Sequence, residues 1–244
     1  MTQEQPIAAV VLAAGKGTRM KSDLHKVLHP LAGRPMLAHL LESLDALGAT
    51  RSVLVVGAGR EQIRAAFPDL ETVVQEPQLG TGHAVRIAEP ALDGFAGVVL
   101  VLYGDVPLVS ATTMRRLAEA VQGNDALAVL GFRPEDTRSY GRLVTDAGGR
   151  LERIVEHADA SSEEQAIDLC NSGIMAARAE LLFPLLTQVG NDNAKGEYYL
   201  TDIVALARAA SHGIAVVETQ PDEVAGVNSP EELAELENRF EAAR

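Results

Sequence analysis

Short apolar runs separated by amphipathic stretches constrain this chain most. The runs are "IAAVVLA" at 7–13, "SVLVVG" at 52–57, "GVVLVLYG" at 97–104 and "ALAVLGF" at 126–132. They are continuously apolar rather than alternating, the pattern of strands buried on both faces, and such strands belong to parallel sheets covered by helices. Helical patterns fall between them. "PMLAHLLESLDALG" at 35–48 is opened by Pro35 and closed by Gly48, "GREQIRAAF" and "TGHAVRIAEPAL" follow, and "SATTMRRLAEAVQ" at 110–122 starts with Ser110 as its cap. With the short strand "ETVVQ" at 71–75, this βαβ rhythm predicts an α/β fold: a mostly parallel, Rossmann-like sheet with helices on both faces.

The rhythm changes near Gly141. "GRLVTDAGGRLERIVEH" at 141–157 reads as two strands joined at Ala147-Gly148-Gly149, a hairpin rather than a crossover, and predicts a small β-rich lobe. "DLCNSGIMAA" is a further strand and "AELLFPLLTQV" a helix interrupted at Pro184. "YYLTDIVALARAASHG" is a helix ending at Gly213. "SPEELAELENRFEAAR" closes the chain as a helix with Ser229 as cap and Pro230 in the first position. The expected organisation is one unit over 1–228, divided near residue 140, followed by a terminal helix at 229–244.

At 244 residues and 47% hydrophobic content the chain can bury a sizeable core. No apolar run approaches the roughly 18–20 residues that cross a bilayer. The start "MTQEQP" carries neither the cationic nor the apolar region of a secretory signal, so a cytoplasmic location is expected. The single cysteine, Cys170, has no partner for an internal disulfide and reads as a small core residue. A formal charge of −13 argues against binding nucleic acid or an anionic membrane. The charge is uneven, however. Residues 1–34 hold five cations against two carboxylates, a net of +3, while the other 210 residues carry sixteen against thirty-two. An anion site in the first segment follows.

That segment contains "LAAGKGTRM" at 12–20, a glycine loop directly after the first strand. The dinucleotide fingerprint fails because Met20 stands where its third small residue belongs, and "SVLVVGAGR" ends without the required acid. The Walker A pattern fails because Gly17, not Ser or Thr, follows Lys16. What remains is a strand-end loop whose N–H groups, with Lys16 and Arg19, bind an oxyanion, or an ordinary βα turn with solvated charges. In "VLYGDVPL", Asp105 follows an apolar strand, where it either caps a turn or ligates Mg²⁺. "QLGTGHA" at 78–84, read alone, is a turn entering a helix, with His83 forming a local hydrogen bond. No nucleophile triad and no His or Cys metal motif is present.

These segments together carry a resemblance. "LAAGKGTRM" is followed by "DLHKVLHPLAGRPML", "QLGTGHA", "LYGDVPL", "YGR", "IVEH", "NSGI", "GEYYLTDI" and "GVNSP", in that order. The chain resembles the sugar-phosphate nucleotidyltransferase family over nearly all its length. In detail it is similar to the uridylyltransferase half of the bifunctional bacterial N-acetylglucosamine-1-phosphate uridylyltransferases. The resemblance implies that the backbone at Leu12, Ala13, Ala14 and Gly15 contacts a nucleotide whose phosphates meet Arg19 and Lys26. It implies that Gln75, Gly80 and Thr81 read a uracil edge and that Tyr103 and Gly104 flank the nucleoside. Gly141, Glu156, Asn171, Tyr199 and Thr201 would hold the amino sugar, and Asp105 and Asn228 a catalytic Mg²⁺. Residues up to about 140 would then bind nucleotide, and 141–228 sugar.

The implied reaction joins UTP and N-acetylglucosamine 1-phosphate into UDP-N-acetylglucosamine and pyrophosphate, with Arg19, Lys26 and Asp105 as the catalytic groups. The nucleophile is an already anionic phosphate oxygen, so no general base is needed, which accounts for the missing acid–base constellation. The family's acetyltransferase lies in a solenoid of hexapeptide repeats, and no such period is legible here. Uridylyl transfer without acetyl transfer, by a monomer or weak dimer, is the expectation. Two other functions stay open: a related enzyme using another sugar or dTTP, and a noncatalytic sugar-nucleotide-binding protein. Intact Lys26, Asp105 and Asn228 favour turnover.

Overall fold

The structure, a computed structural model, describes residues 5–15, 17–137 and 139–242. Lys16, one of the two cations expected on the first glycine loop, lies outside the described residues.

The first half is built as the apolar runs require. Strand β1 (Ile7–Ala13) leads through a glycine loop to the two-residue strands β2 (Pro30–Leu31) and β3 (Arg34–Pro35), then to helix α1 (Met36–Leu47). There follow β4 (Arg51–Val56), α2 (Arg60–Ala66), β5 (Glu71–Val74) and α3 (Thr81–Ile87). Next come β6 (Val98–Tyr103), α4 (Ala111–Glu119) and β7 (Asp125–Phe132). Ser110 caps α4 as its sequence signal requires, its hydroxyl accepting from the Thr113 N–H at 3.1 Å. Gly48 closes α1 in the left-handed conformation at φ 81°.

The second half contains the hairpin β8 (Arg142–Thr145) and β9 (Leu151–Val155), a one-turn helix α5 (Ser162–Gln165) and the long strand β10 (Cys170–Arg178). Helices α6 (Ala179–Leu186) and α7 (Asp202–Ala209), strand β11 (Gly213–Thr219) and helix α8 (Pro230–Ala242) complete it. The hairpin turn is fixed by Asp146, whose carboxylate accepts from the N–H groups of Gly148 and Arg150 at 2.8 and 2.9 Å.

The main sheet runs β11-β7-β10-β6-β1-β4-β5, with β8 pairing to β10 and β9 to β8. β4, β5 and β6 are parallel to β1, and β11 is parallel to β7; β10 runs antiparallel between β6 and β7. Alternate residues of β1 feed opposite cores: Ala9, Val11 and Ala13 pack with the apolar faces of α1 and α4, and Ala8, Val10 and Leu12 with those of α3, α6 and α7. Cys170 is buried in the first core. Among the described residues no helix is long and apolar enough to cross a membrane.

Three local expectations need correction. The helix predicted over 198–213 is confined to α7, because Tyr198 exchanges backbone bonds with Leu79 and Gly82, Leu200 N–H donates to the Thr81 hydroxyl, and Gly213 opens a strand. That strand, β11, has the run "GIAVVET", masked in the sequence by the helical pattern preceding it. Pro184 does not interrupt α6, which carries it near its end; the Pro184 carbonyl accepts from the side chains of Thr187 and Gln188 at 2.8 and 3.1 Å.

Candidate active site

β1, β4 and β6 are parallel neighbours, so the loops that follow them open at the same edge of the sheet. A cavity of about 320 Å³ lies there, walled by Leu12, Ala13, Ala14 and Gly15 on one side and by Gln75, Gly80 and Thr81 on another. Lys26, Tyr103 and Asp105 close it. Larger hollows of about 500 and 780 Å³ open around Phe95 and around Leu47, but neither contains the loop glycines or the Lys26–Asp105 pair.

Two glycines make this wall possible. A Cβ on Gly17, which sits at φ 59°, would lie 2.7 Å from the Lys26 Cβ, so only glycine lets the loop pass over the lysine. At Gly80, with φ 114°, a Cβ would lie 2.6 Å from the Tyr198 carbonyl oxygen. The loop and residues 198–200 are in fact joined: Tyr198 N–H donates to Leu79 O and Gly82 N–H to Tyr198 O, each at 2.8 Å, and Leu200 N–H donates to the Thr81 hydroxyl at 3.1 Å.

At the mouth of the cavity Lys26 donates to the Asp105 carboxylate and, at 3.1 Å, to the Asn228 side-chain oxygen. These groups come from three distant segments, and each is held by backbone. Asp105 O accepts from the Val227 N–H at 2.9 Å, which binds the Asn228 segment beside it. Asn228 N–H donates to Glu232 of α8 at 2.6 Å, and Ser229 caps the same helix turn by accepting from Glu232 N–H at 3.2 Å. On the other side, the Gln62 amide of α2 accepts from His25 N–H and donates to Asp23 O, both at 2.8 Å, clamping the residues before Lys26.

A second group lies toward the β8–β9 hairpin. Thr201 donates to Glu156 at 3.1 Å, and Asn171 bridges locally, its N–H donating to Gly141 O at 2.8 Å while its side-chain oxygen accepts from Gly173 N–H at 3.0 Å. Gly173 is required by Tyr103: a Cβ there would meet the ring at 2.7 Å. Burial, then the carboxylates of Glu156 and Asp105, push the Tyr103 phenol well above its ordinary range. Burial, then Asp159, Glu156 and Glu197, push Tyr199 up to about 12. Both phenols therefore stay neutral. Burial, followed by Glu156 and Asp159, also raises the Asp202 carboxyl.

Of the residues singled out in the sequence, Arg19 stands apart: it is exposed on the turn Thr18–Met20 and is no part of the cavity wall. Gly104 lies below the wall, its N–H donating to Leu12 O at 2.9 Å. Gln78, Glu197, Gln62 and Glu232 were not legible. Gln78 donates to Ala14 O across the loop and Glu197 lines the cavity; the segments that hold all four were placed from the sequence, but nothing local marks these side chains as part of the site.

Residues 9–161 match the model of the MobA-like NTP transferase domain family. The chain belongs to this family. It is a nucleotidyltransferase. It is 57% identical to the bifunctional protein GlmU of Rhizorhabdus wittichii over 99% of this chain and 54% of that protein. It is 57% identical to that of Rhodospirillum rubrum over 94% and 52%, and 51% identical to that of Zymomonas mobilis over 99% and 55%. The chain thus spans about half the length of the curated relatives it matches. Among solved structures, a UDP-glucose pyrophosphorylase complexed with UDP-glucose superposes with a TM-score of 0.78 at 18% identity, covering 98% of this chain and 100% of the other. A nucleotidyl transferase from Methanothermobacter thermautotroptrophicus superposes with 0.68 at 22% identity, covering 98% and 99%. At those identities the likeness concerns the fold.

Proposed function

We propose that this chain transfers the uridylyl group of UTP to N-acetylglucosamine 1-phosphate, releasing pyrophosphate. The observation that carries this reading is the convergence of Lys26, Asp105 and Asn228 at the mouth of a cavity walled by glycine-loop backbone. The cavity end, flanked by Tyr103 and Gly104, would take the nucleoside; Glu156, Asn171, Tyr199 and Thr201, with Gly141, would take the sugar. Residues to about 140 then form the nucleotide part and 141–228 the sugar part.

The donor set fits a divalent cation. The Asp105 carboxylate and the Asn228 amide oxygen already share one positive charge, the Lys26 ammonium, and two hard oxygens are what Mg²⁺ takes from a protein when substrate phosphates and water supply the rest. Such an ion, when bound, supplies charge withdrawal from phosphate oxygens.

The chain's own part is positioning and charge. The backbone at 12–15 would lie along the nucleotide, and Lys26, freed from Asp105 as phosphate enters, would neutralise charge developing on the triphosphate. Arg19, on its exposed turn, receives the outer phosphates. The attacking sugar-phosphate oxygen is already anionic, and the neutral phenols of Tyr103 and Tyr199 bind without repelling it. We assign no acetyl transfer to the described residues, which form an α/β sheet and no hexapeptide solenoid.

The test is pyrophosphate release with UTP, dTTP or CTP crossed with N-acetylglucosamine-, glucosamine- and glucose-1-phosphate, with and without Mg²⁺. Release with UTP and the N-acetylated sugar, lost on chelation, is expected. Binding of the sugar nucleotide without any turnover would replace the enzyme by a sensor, and preference for another pair would replace the substrates. Release of free CoA from acetyl-CoA and glucosamine 1-phosphate would overturn the single-activity assignment.

A further inference from the structure

Gln75 is buried at the end of β5's loop, its N–H donating to Val56 O at 2.8 Å, and its side chain reaches the cavity wall. Which end of that amide faces the cavity decides what it can recognise. The Gly80 carbonyl lies 2.9 Å from the Gln75 nitrogen, and a carbonyl only accepts, so the NH₂ group must face it. The second hydrogen of that NH₂ group meets the His83 Nδ1 at 3.2 Å. Because an amide NH₂ cannot accept, Nδ1 must be the unprotonated nitrogen and His83 the neutral Nε2–H tautomer. Burial, then Arg86, holds the imidazole below its ordinary range, which favours that form. Among the described residues, no donor reaches the remaining atom, Gln75 Oε1.

We propose that His83 is a positioning residue for base selectivity: by accepting from Gln75 it locks the amide with Oε1 as a fixed acceptor for an imide N–H. This rests on the reading of the cavity as a nucleoside triphosphate site. Uracil presents N3–H to such an acceptor, whereas cytosine presents an unprotonated N3 and would set lone pair against lone pair. Turning the amide over to suit cytosine would aim Oε1 at the Gly80 carbonyl and would force His83 to move its proton from Nε2 to Nδ1. Without the histidine acceptor only the carbonyl resists.

The experiment measures kcat/KM for UTP and for CTP, with N-acetylglucosamine 1-phosphate and Mg²⁺, in the wild type, His83→Leu and His83→Asn; circular dichroism verifies folding, and His83→Ala replaces a leucine variant that does not fold. The UTP-to-CTP ratio should fall about five- to tenfold in His83→Leu, the scale of one neutral hydrogen bond. It should recover in His83→Asn, whose amide oxygen supplies an acceptor. A wild type that discriminates while His83→Leu keeps the same ratio overturns this inference alone. An equal loss in the leucine and asparagine variants also overturns it, since that marks a packing role. A wild type that turns over neither nucleotide overturns both this inference and the proposed function.

Discussion

The two ends of the candidate site are built by different means. The end proposed for the nucleotide is made mostly of backbone: loops at the ends of parallel strands, with Gly17 and Gly80 where a Cβ would collide with Lys26 or Tyr198, and one lysine shared by two oxygens. The end proposed for the sugar is made of side chains on an antiparallel hairpin and its neighbours, where burial and nearby carboxylates raise the Tyr199 phenol and the Asp202 carboxyl. A polyanion is held best by N–H groups and cations, which need glycine and close approach. A neutral polyol is held by acceptors and donors on side chains, which need only correct spacing. Substitutions at the two ends should therefore fail differently.

The largest effect is expected where the charge lies. Asp105→Ala should lower kcat by at least ~10³-fold at saturating Mg²⁺, and Lys26→Ala by at least ~10²-fold, the scale of one preorganised electrostatic group. Steady-state kinetics decide it: a rise in KM for UTP with kcat unchanged would make Lys26 a ground-state phosphate binder. Gly80→Ala comes next. Its Cβ would press on the Tyr198 carbonyl at a positive φ, so the KM for UTP should rise about tenfold and stability fall by about 1–3 kcal/mol. Normal UTP affinity in a folded Gly80→Ala protein would break the picture of a backbone-built end.

Thr201→Val removes the donor to Glu156 and should raise the KM for the sugar phosphate several-fold, about the value of one hydrogen bond, without moving that for UTP. Equal changes in both constants would erase the distinction between the ends. The smallest effect on activity belongs to Glu223, which accepts from Thr113 at 2.6 Å and from Thr219. Burial pushes its carboxyl up, but hydrogen bonds from Ser110, Thr113 and Thr219 outweigh this and hold it below 4.5. The ionised form is favoured by folding, so its contribution is full above pH 4.5 and is lost as pH falls through the lower folded value. Glu223→Ala should cost about 1–3 kcal/mol at pH 7 and flatten the acid limb of a thermal-unfolding series from pH 7 to 3, with kcat unchanged.

Much of the fold was legible because its signals are local. Continuous apolar runs marked β1, β4, β6 and β7, Ser110 and Gly48 marked helix ends, and Ala147-Gly148-Gly149 marked the hairpin turn. β11 was hidden behind a helical pattern that runs on past the observed end of α7, and α5 is a single turn with only its capping box, Ser161 with Glu164, to announce it. For the site, strand-end position singled out Asp105, while Lys26, Gln75 and Thr201 came from the family resemblance alone. The clamp of Gln62 on His25 and Asp23 and the bond from Asn228 to Glu232 left no trace, since a glutamine or glutamate on a polar helix face looks the same whether it meets water or a backbone amide.

The sequence by itself determined the α/β class and the strand ends at which the glycine loop and Asp105 lie, because periodicity, glycine placement and charge are properties of neighbouring residues. Only the tertiary structure decided that β10 runs against its neighbours, that Arg19 stands outside the cavity wall, and that Asn228 meets Lys26 across 202 residues of chain. Strand direction and long-range pairing depend on how separate elements bury their faces against each other, and that choice is made by the packed core as a whole.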